Sequence, residues 1–177
     1  GKSALSANTT ASNNTAVGKD ALLVNTTGGD NTAVGAYSLD ANTTGTQNVA
    51  VGIYALSLNT TASYNTAVGR EALKANTTAS NNTAVGRTAA MAITTGTYNT
   101  AVGSAALDGN TEGARNVAVG YATLGANVLG SRNTAVGYEA LDAQNPASAV
   151  DMYNTAVGYA AGGAVTTGIR NTLIGAL

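Results

Sequence analysis

The chain has no cysteine, histidine, phenylalanine or tryptophan, and a single proline, Pro146, in 177 residues. Without cysteine there is neither a disulfide framework nor a thiolate metal site, and without histidine the commonest general base and metal ligand is missing. The absence of Phe and Trp deprives a conventional core of its large fillers, so packing must come from small side chains brought together many times. Charge is also scarce. Only 10% of residues are charged and the formal net charge is -1, which argues against the concentrated basic face that a nucleic-acid groove needs. No run approaches the roughly 18 consecutive apolar residues of a membrane span, so direct membrane insertion is not expected. The first residues also lack a basic-then-apolar signal peptide.

What the chain has instead is repetition. The motif N-T-A-V-G, or a close variant, starts at Asn14, Asn31, Asn48, Asn65, Asn82, Asn99, Asn116 and Asn133, a strict period of 17 residues. One gap of 21 leads to Asn154 and a final 17 to Asn171, so a four-residue insertion falls within 145–152, next to Pro146. A fixed period in this range marks a stacked array, in which one unit cannot bury its own apolar face and its neighbours do so. Residues 1–177 are therefore expected to form a single array. With the Asn as position 1, Gly1 falls at position 5 and Leu177 at position 7 of unfinished units. Because arrays usually carry distinct caps, the sequence reads as a segment of a longer chain.

The aligned units show what each position accepts. Position 5 is Gly in every copy: Gly1, then Gly18, Gly35, Gly52, Gly69, Gly86, Gly103, Gly120, Gly137, Gly158 and Gly175. Such strictness fits a corner that needs positive φ or a close backbone approach. At position 15 Gly28, Gly45 and Gly96 alternate with Ala11, Ala62 and Ala79, so smallness suffices there. Positions 2 and 4, Thr or Val followed by Val, read as one face of a short strand that points inward. Position 3, Ala in nine of ten copies and then Leu173, reads as a second packed face, against something as close as another chain. Positions 6 and 7 vary as solvent-facing residues do. Ala-Leu at positions 8 and 9 favours a single helical turn over a second strand, closed by an Asn-Thr-Thr-Gly turn. If the strands stack in parallel at about 4.8 Å per rung, ten rungs span roughly 50 Å. The position-1 Asn side chains would then form a ladder.

The unit N-T-A-V-G-x-x-A-L-x-x-N-T-T-G, as in Asn31 to Gly45, resembles the N-T-A-I-G/N-T-A-V-G repeat shafts of phage tail-fibre-like and bacterial surface proteins. It is similar, more distantly, to the head repeats of trimeric autotransporter adhesins. The resemblance covers the whole chain. It implies a homotrimeric β-roll on a virion or cell surface, with a host-surface glycan or receptor as a partner.

Chemistry is thinly represented. Hydroxyls abound, but the nine carboxylates do not recur as a paired acid and base. Asp20, Glu71 and Glu139 share position 7 with Tyr37 and Thr88, as on a solvated face. No catalytic, cofactor-binding or metal-binding residue is assigned, and no enzyme activity or cofactor is expected. Tyrosine clusters: Tyr121, Tyr138 and Tyr159 occupy position 6 in consecutive units, and Tyr64, Tyr98 and Tyr153 occupy position 17. The first three form a candidate glycan-contact strip, with aromatic packing between rungs as the plainer reading. Thr9, Thr26, Thr43, Thr60, Thr77 and Thr94 share position 13 and could suit an ice surface, although Asn-Thr-Thr turns explain them more simply. Asn8, Asn13, Asn25, Asn42, Asn59, Asn76 and Asn81 fit the N-glycosylation pattern.

These readings converge on an all-β, parallel β-solenoid or β-roll with one 17-residue rung per repeat, assembled as a homotrimer. The expected role is an extracellular or virion-surface fibre or adhesin segment. The alternatives are a filament of stacked monomeric solenoids and, further off, an ice-binding solenoid.

Overall fold

A computed structural model describes residues 1–176. It is all-β: among the described residues there is no helix, and twelve short strands follow one another. They are β1 (Thr15–Val17), β2 (Thr32–Val34), β3 (Val49–Val51), β4 (Thr66–Val68), β5 (Thr83–Val85), β6 (Thr100–Val102), β7 (Val117–Val119), β8 (Gly130–Ser131), β9 (Thr134–Val136), β10 (Val150–Asp151), β11 (Thr155–Val157) and β12 (Thr172–Ile174). All except β8 and β10 form one parallel sheet in sequence order. Its register pairs Thr15 with Thr32, Ala16 with Ala33, and so on to Ala156 with Leu173. The chain is thus a parallel β-solenoid with one rung per 17 residues.

The face assignment within the strand is reversed from the sequence reading. Ala33, Ala50, Ala67 and the other Ala of position 3 from β2 to β11 are buried, whereas Thr and Val at positions 2 and 4 face outward. The physical reason is the width of the rung. In most rungs the strand Ala shares the core with a fully buried Leu of position 9, among them Leu56 and Leu73, flanked by an Ala of position 8. Ser38 and Thr123 take the place of that Ala beside Leu39 and Leu124, and Ala90 and Gly162 replace the Leu in two rungs. One Leu and two small residues fill the narrow interior of most rungs, which leaves room at position 3 for Ala and not for the larger Val or Thr of positions 2 and 4. The tightness at position 3 therefore reflects the chain's own core and gives no support to a neighbouring chain.

The helical turn expected after the Gly corner does not form. Positions 7, 9 and 17 instead carry positive φ in rung after rung, for example Tyr37 at 58°, Leu39 at 50° and Gln47 at 57°. Alternating left- and right-handed residues turn successive peptide groups along the solenoid axis. Leu39 N–H donates to Ala55 O (3.1 Å) in the next rung, and Tyr37 N–H to Lys19 O (2.9 Å) in the previous one. A helical turn would have spent those groups internally and broken the ladder. A non-Gly residue in this region carries a penalty of about 1–2 kcal/mol, and only a backbone bonded on both sides holds it there. Position 5 meets both conditions expected of it. Its glycines lie at φ between 131° and 141° from Gly18 to Gly175, and a Cβ on Gly35 would sit 2.6 Å from Gly52 O.

Two amide columns flank the core. At position 1 each Asn Oδ1 accepts the backbone N–H of the next rung's Asn, from Asn14–Asn31 (2.9 Å) to Asn154–Asn171 (2.9 Å), across the insertion as well. Most of their Nδ2 groups donate to the carbonyl of position 15, as Asn31 does to Gly45 O (2.8 Å). The mutual side-chain ladder that the sequence suggested at position 1 is formed mainly at position 12. There Asn25, Asn42, Asn59 and Asn76 each donate Nδ2 to the Oδ1 of the rung before, at 2.8–3.0 Å. Ile93 interrupts it. The Oδ1 of Asn76 and both amide atoms of Asn110, on either side of Ile93, are buried without a partner. In the insertion rung Gln144 takes the place of Asn, donating to Asn127 Oδ1 (3.2 Å) and accepting from Asn154 Nδ2 (2.7 Å). Met152 and Pro146 turn inward, while Val150–Asp151 adds β10 alongside β8.

Candidate binding surfaces

Three outward columns run along the axis. The first is the strand face, with Thr or Val at position 2 beside Val or Ile at position 4 in ten successive strands. It carries no charged residue, and Val17, Val102 and Ile174 are 56%, 37% and 79% exposed. No hydroxyl of its Thr residues has a protein partner among the described residues. The position-13 threonines behave differently, since Thr26, Thr43 and Thr60 each donate Oγ1 to the carbonyl of the following rung (3.1 Å). The donor hydrogens of those hydroxyls are spent on the ladder.

The second column lies at position 6. Tyr121, Tyr138 and Tyr159 come together as the sequence suggests, stacked with centroids 5.2 Å apart at both steps. The register of the rungs places equivalent Cα atoms one strand spacing apart, which is why the rings stack. Their facing surfaces are consequently occupied by one another, and what the strip offers outward is ring edges, hydroxyls and the two outermost faces. The Glu139 carboxylate, mainly by hydrogen bonding, raises the pKa of the Tyr138 phenol above its usual value. A second stacked pair, Tyr37 and Tyr54 at position 7, has centroids 5.0 Å apart. The sequence reading took Tyr37 only as a solvated residue.

The third column, position 17, was seen in sequence only through its tyrosines. Positive φ turns every residue of it outward, and from the fifth full rung onward it reads Tyr98, Arg115, Arg132, Tyr153, Arg170. The Arg115 guanidinium lies over the Tyr98 ring (5.6 Å to the centroid) and that of Arg132 over Tyr153 (5.5 Å). Arg132 Nε also meets Asp151 Oδ2 at 2.8 Å. The insertion walls this column, so that Ser131, Val150, Asp151, Tyr153, Ile169 and Arg170 line an open groove of about 670 Å³. The signal was present in the sequence as arginines at the same position as the tyrosines.

Most carboxylates lie elsewhere, at positions 7 and 10. Burial pushes Asp40, Asp108 and Asp142 above the ordinary value near 3.8, with Glu139 adding to the effect at Asp142. The glycosylation-pattern asparagines divide by column. Asn25, Asn42, Asn59 and Asn76 are buried in the ladder, whereas Asn13 and Asn81 stand exposed at position 17. Gly175, at an end of the sheet, lines an open depression with Leu173 and Ile174.

The fold defines the chain as a parallel β-solenoid repeat protein. Neither a family model, nor a curated protein, nor a solved structure matches it.

Proposed function

We propose that this chain is a rigid segment of a surface fibre or adhesin that assembles as a homotrimer through its strand face. The observation that carries the reading is the uncharged Thr/Val face running through ten strands in unbroken register. At about 4.8 Å per strand and roughly 10 Å across, it covers about 500 Å², toward the upper end of the apolar patch a monomer exposes. Three such faces meeting around an axis would hide it. The number three comes from the resemblance to trimeric repeat heads. The role is mechanical and polyvalent rather than catalytic: a continuous ladder supplies stiffness, and three copies multiply weak contacts. Placement on a virion or cell surface belongs to the same reading. Tyr121, Tyr138 and Tyr159 would offer a glycan their hydroxyls and outer ring faces, which their joint replacement by Ala tests.

Light scattering tests the assembly. A discrete mass three times the 17.3 kDa chain is expected, falling to one chain when Val68 and Val102 are replaced by Lys. A monomeric parent chain would overturn the trimer, and an open-ended size distribution would favour the filament of stacked solenoids. A monomer that produced thermal hysteresis would instead assign the free Thr hydroxyls of position 2 to ice.

A further inference from the structure

We infer that the position-17 column from Tyr98 to Arg170 is a binding surface for an anionic polysaccharide, one bearing uronic-acid carboxylates, laid parallel to the solenoid axis. The inference rests on the surface-fibre reading and adds to it the class of ligand and the residues that take it.

The column is built to hold cations at fixed spacing. Arg115, Arg132 and Arg170 have φ of 57°, 61° and 56°, and their backbone N–H groups are pinned to Thr97 O (3.0 Å), Ala114 O (2.9 Å) and Met152 O (2.7 Å). Their Cα atoms therefore follow the rungs, and Tyr98 to Arg170 covers four rung steps, roughly 19 Å at ~4.8 Å each. Arg115 and Arg170 make no ion pair among the described residues. An arginine fork binds a carboxylate through two parallel N–H bonds. Tyr98 and Tyr153, 56% and 46% exposed, supply aromatic surface in the same line, and their paired guanidinium groups keep the rings in place. Asp151, on the groove wall, holds Arg132 by its carboxylate and leaves the outer arginines to the ligand.

The charge density selects the polymer. A nucleic-acid strand carries one phosphate per nucleotide and is ordinarily held by a dense basic groove. This column offers three arginines, one of them already paired, with tyrosines before Arg115 and between Arg132 and Arg170. A polymer with sparser carboxylates and apolar ring faces matches it better. The acidic side chains of positions 7 and 10, such as Asp108 and Asp142, belong to a different part of the rung. Glu112, three residues before Arg115, is the nearest carboxylate in sequence to that arginine.

The test is isothermal titration calorimetry at low salt with a homogeneous galacturonic-acid oligosaccharide, a neutral galactose oligosaccharide of equal length and a single-stranded oligonucleotide. The uronate is expected to bind, the neutral oligosaccharide not to, and added salt to weaken the uronate. Arg115→Gln and Arg170→Gln should each weaken binding about tenfold and together abolish it, while Arg70→Gln with Arg87→Gln, at position 6, should change nothing. All four residues are exposed, so the unfolding midpoint should stay put, and the comparison among the three ligands needs no variant. Failure of the uronate to bind, equal binding of the neutral sugar, tighter binding of the oligonucleotide, or indifference to Arg115→Gln and Arg170→Gln would each overturn the inference. A trimer that ignores uronates sinks this proposal alone, and a monomer sinks the trimeric reading whatever it binds.

Discussion

Rung 5 carries two substitutions that make sense only together, and reversing both should strengthen the solenoid. Ala90 stands where other rungs have the core Leu, and Ile93, fully buried, stands where they have the ladder Asn. The apolar volume has moved from one column to another within the rung, at the expense of the amide ladder. Two amide atoms that a ladder Asn at 93 would meet, Asn76 Oδ1 and Asn110 Nδ2, are left buried and unbonded, whereas Asn110 Oδ1 is unbonded because Asn127 Nδ2 donates to Gly130 O instead. Each of the two carries a desolvation penalty of about 1–3 kcal/mol, or roughly 2–6 kcal/mol together. Ile93→Asn offers a donor to Asn76 and an acceptor to Asn110, but loses about 1.5–3 kcal/mol of burial and leaves a cavity. Ala90→Leu fills that cavity with a residue that seven other rungs hold at the same φ near 50°. The double variant should therefore be more stable by about 2 kcal/mol, taking the low end of the desolvation range. The single Ile93→Asn change should be close to neutral. Urea unfolding gives the overall change, and amide hydrogen exchange at Asn76 and Asn110 places it, which matters because repeat arrays depart from two-state behaviour. The mirror experiment, Asn42→Ile in the intact part of the ladder, should destabilise. A double variant no more stable than the parent, or an Asn42→Ile chain as stable as the parent, would refute the argument.

Three further outcomes follow from the rung geometry. Gly69→Ala should cost at least about 3 kcal/mol, from φ of 136° and the collision of its Cβ with the next rung's backbone. Gly45→Ala should cost less than that: its Cβ also meets a carbonyl, Ala62 O, but without the positive φ, and Ala62 and Ala79 show the column holding a methyl once the backbone shifts; denaturant midpoints separate them. Gly162→Leu alone should overpack, since a Cβ there lies 2.8 Å from Leu173 Cδ1, and Leu173→Ala alone should leave a cavity, each at about 2 kcal/mol. Together they restore the Leu/Ala arrangement of the other rungs, so the combined loss should be well below the sum. Stability should also rise as pH falls from neutrality toward about 4. The raised carboxyls of Asp40, Asp108 and Asp142 take up protons in the folded state before the unfolded chain does. The gain ends near the unfolded value, and Asp108→Asn with Asp142→Asn should flatten the melting-temperature profile.

The parallel solenoid was legible because its period is a covalent fact: 17 residues recur, and stacking in register follows. The Gly corner was legible for a similar reason, since only one residue type tolerates both its φ and its crowding. The inner face of the strand was misread because hydrophobicity ranks Val above Ala, while the interior of a thin rung selects for size. Ala67 is buried and Val85 is 37% exposed, against the order a transfer scale predicts. The helical turn was misread because Ala, Leu, Glu and Lys favour helices as isolated residues. That preference amounts to tenths of a kcal/mol per residue, less than the hydrogen bonds lost if the ladder were interrupted at every rung. Glu71 and Leu73 accept φ of 59° and 50° for that reason. The tyrosine strip was found from its spacing, but that its rings face one another depends on the rung separation. Arg115, Arg132 and Arg170 were missed because they are rare, exposed and far apart in sequence, and become a column only when the rungs are stacked.

A solenoid divides its positions sharply into those that build it and those that are free. Positions 1, 3, 5 and 9 hold almost one residue type each, and their exceptions are compensated nearby, as Gly162 is by Leu173. Positions 6 and 17 hold what the ladder does not constrain, so whatever is selected there is selected from outside. In the first four full rungs position 17 reads Asp30, Gln47, Tyr64 and Asn81, a mixture without pattern. From the fifth rung it becomes tyrosine and arginine alone, over the same rungs in which position 6 becomes tyrosine three times and the insertion adds a wall. Backbone bonding does not call for the arginines, because Asp30, Gln47, Tyr64 and Asn81 make the same backbone bond to the previous rung that Arg115, Arg132 and Arg170 make. Under the proposal of a uronate-binding column, their coincidence in one axial span assigns recognition to the later rungs and spacing to the earlier ones. Replacing position 17 of the first four rungs by Tyr, Arg, Arg and Tyr should therefore create a second uronate site on an unchanged scaffold, which titration would read as a doubled stoichiometry.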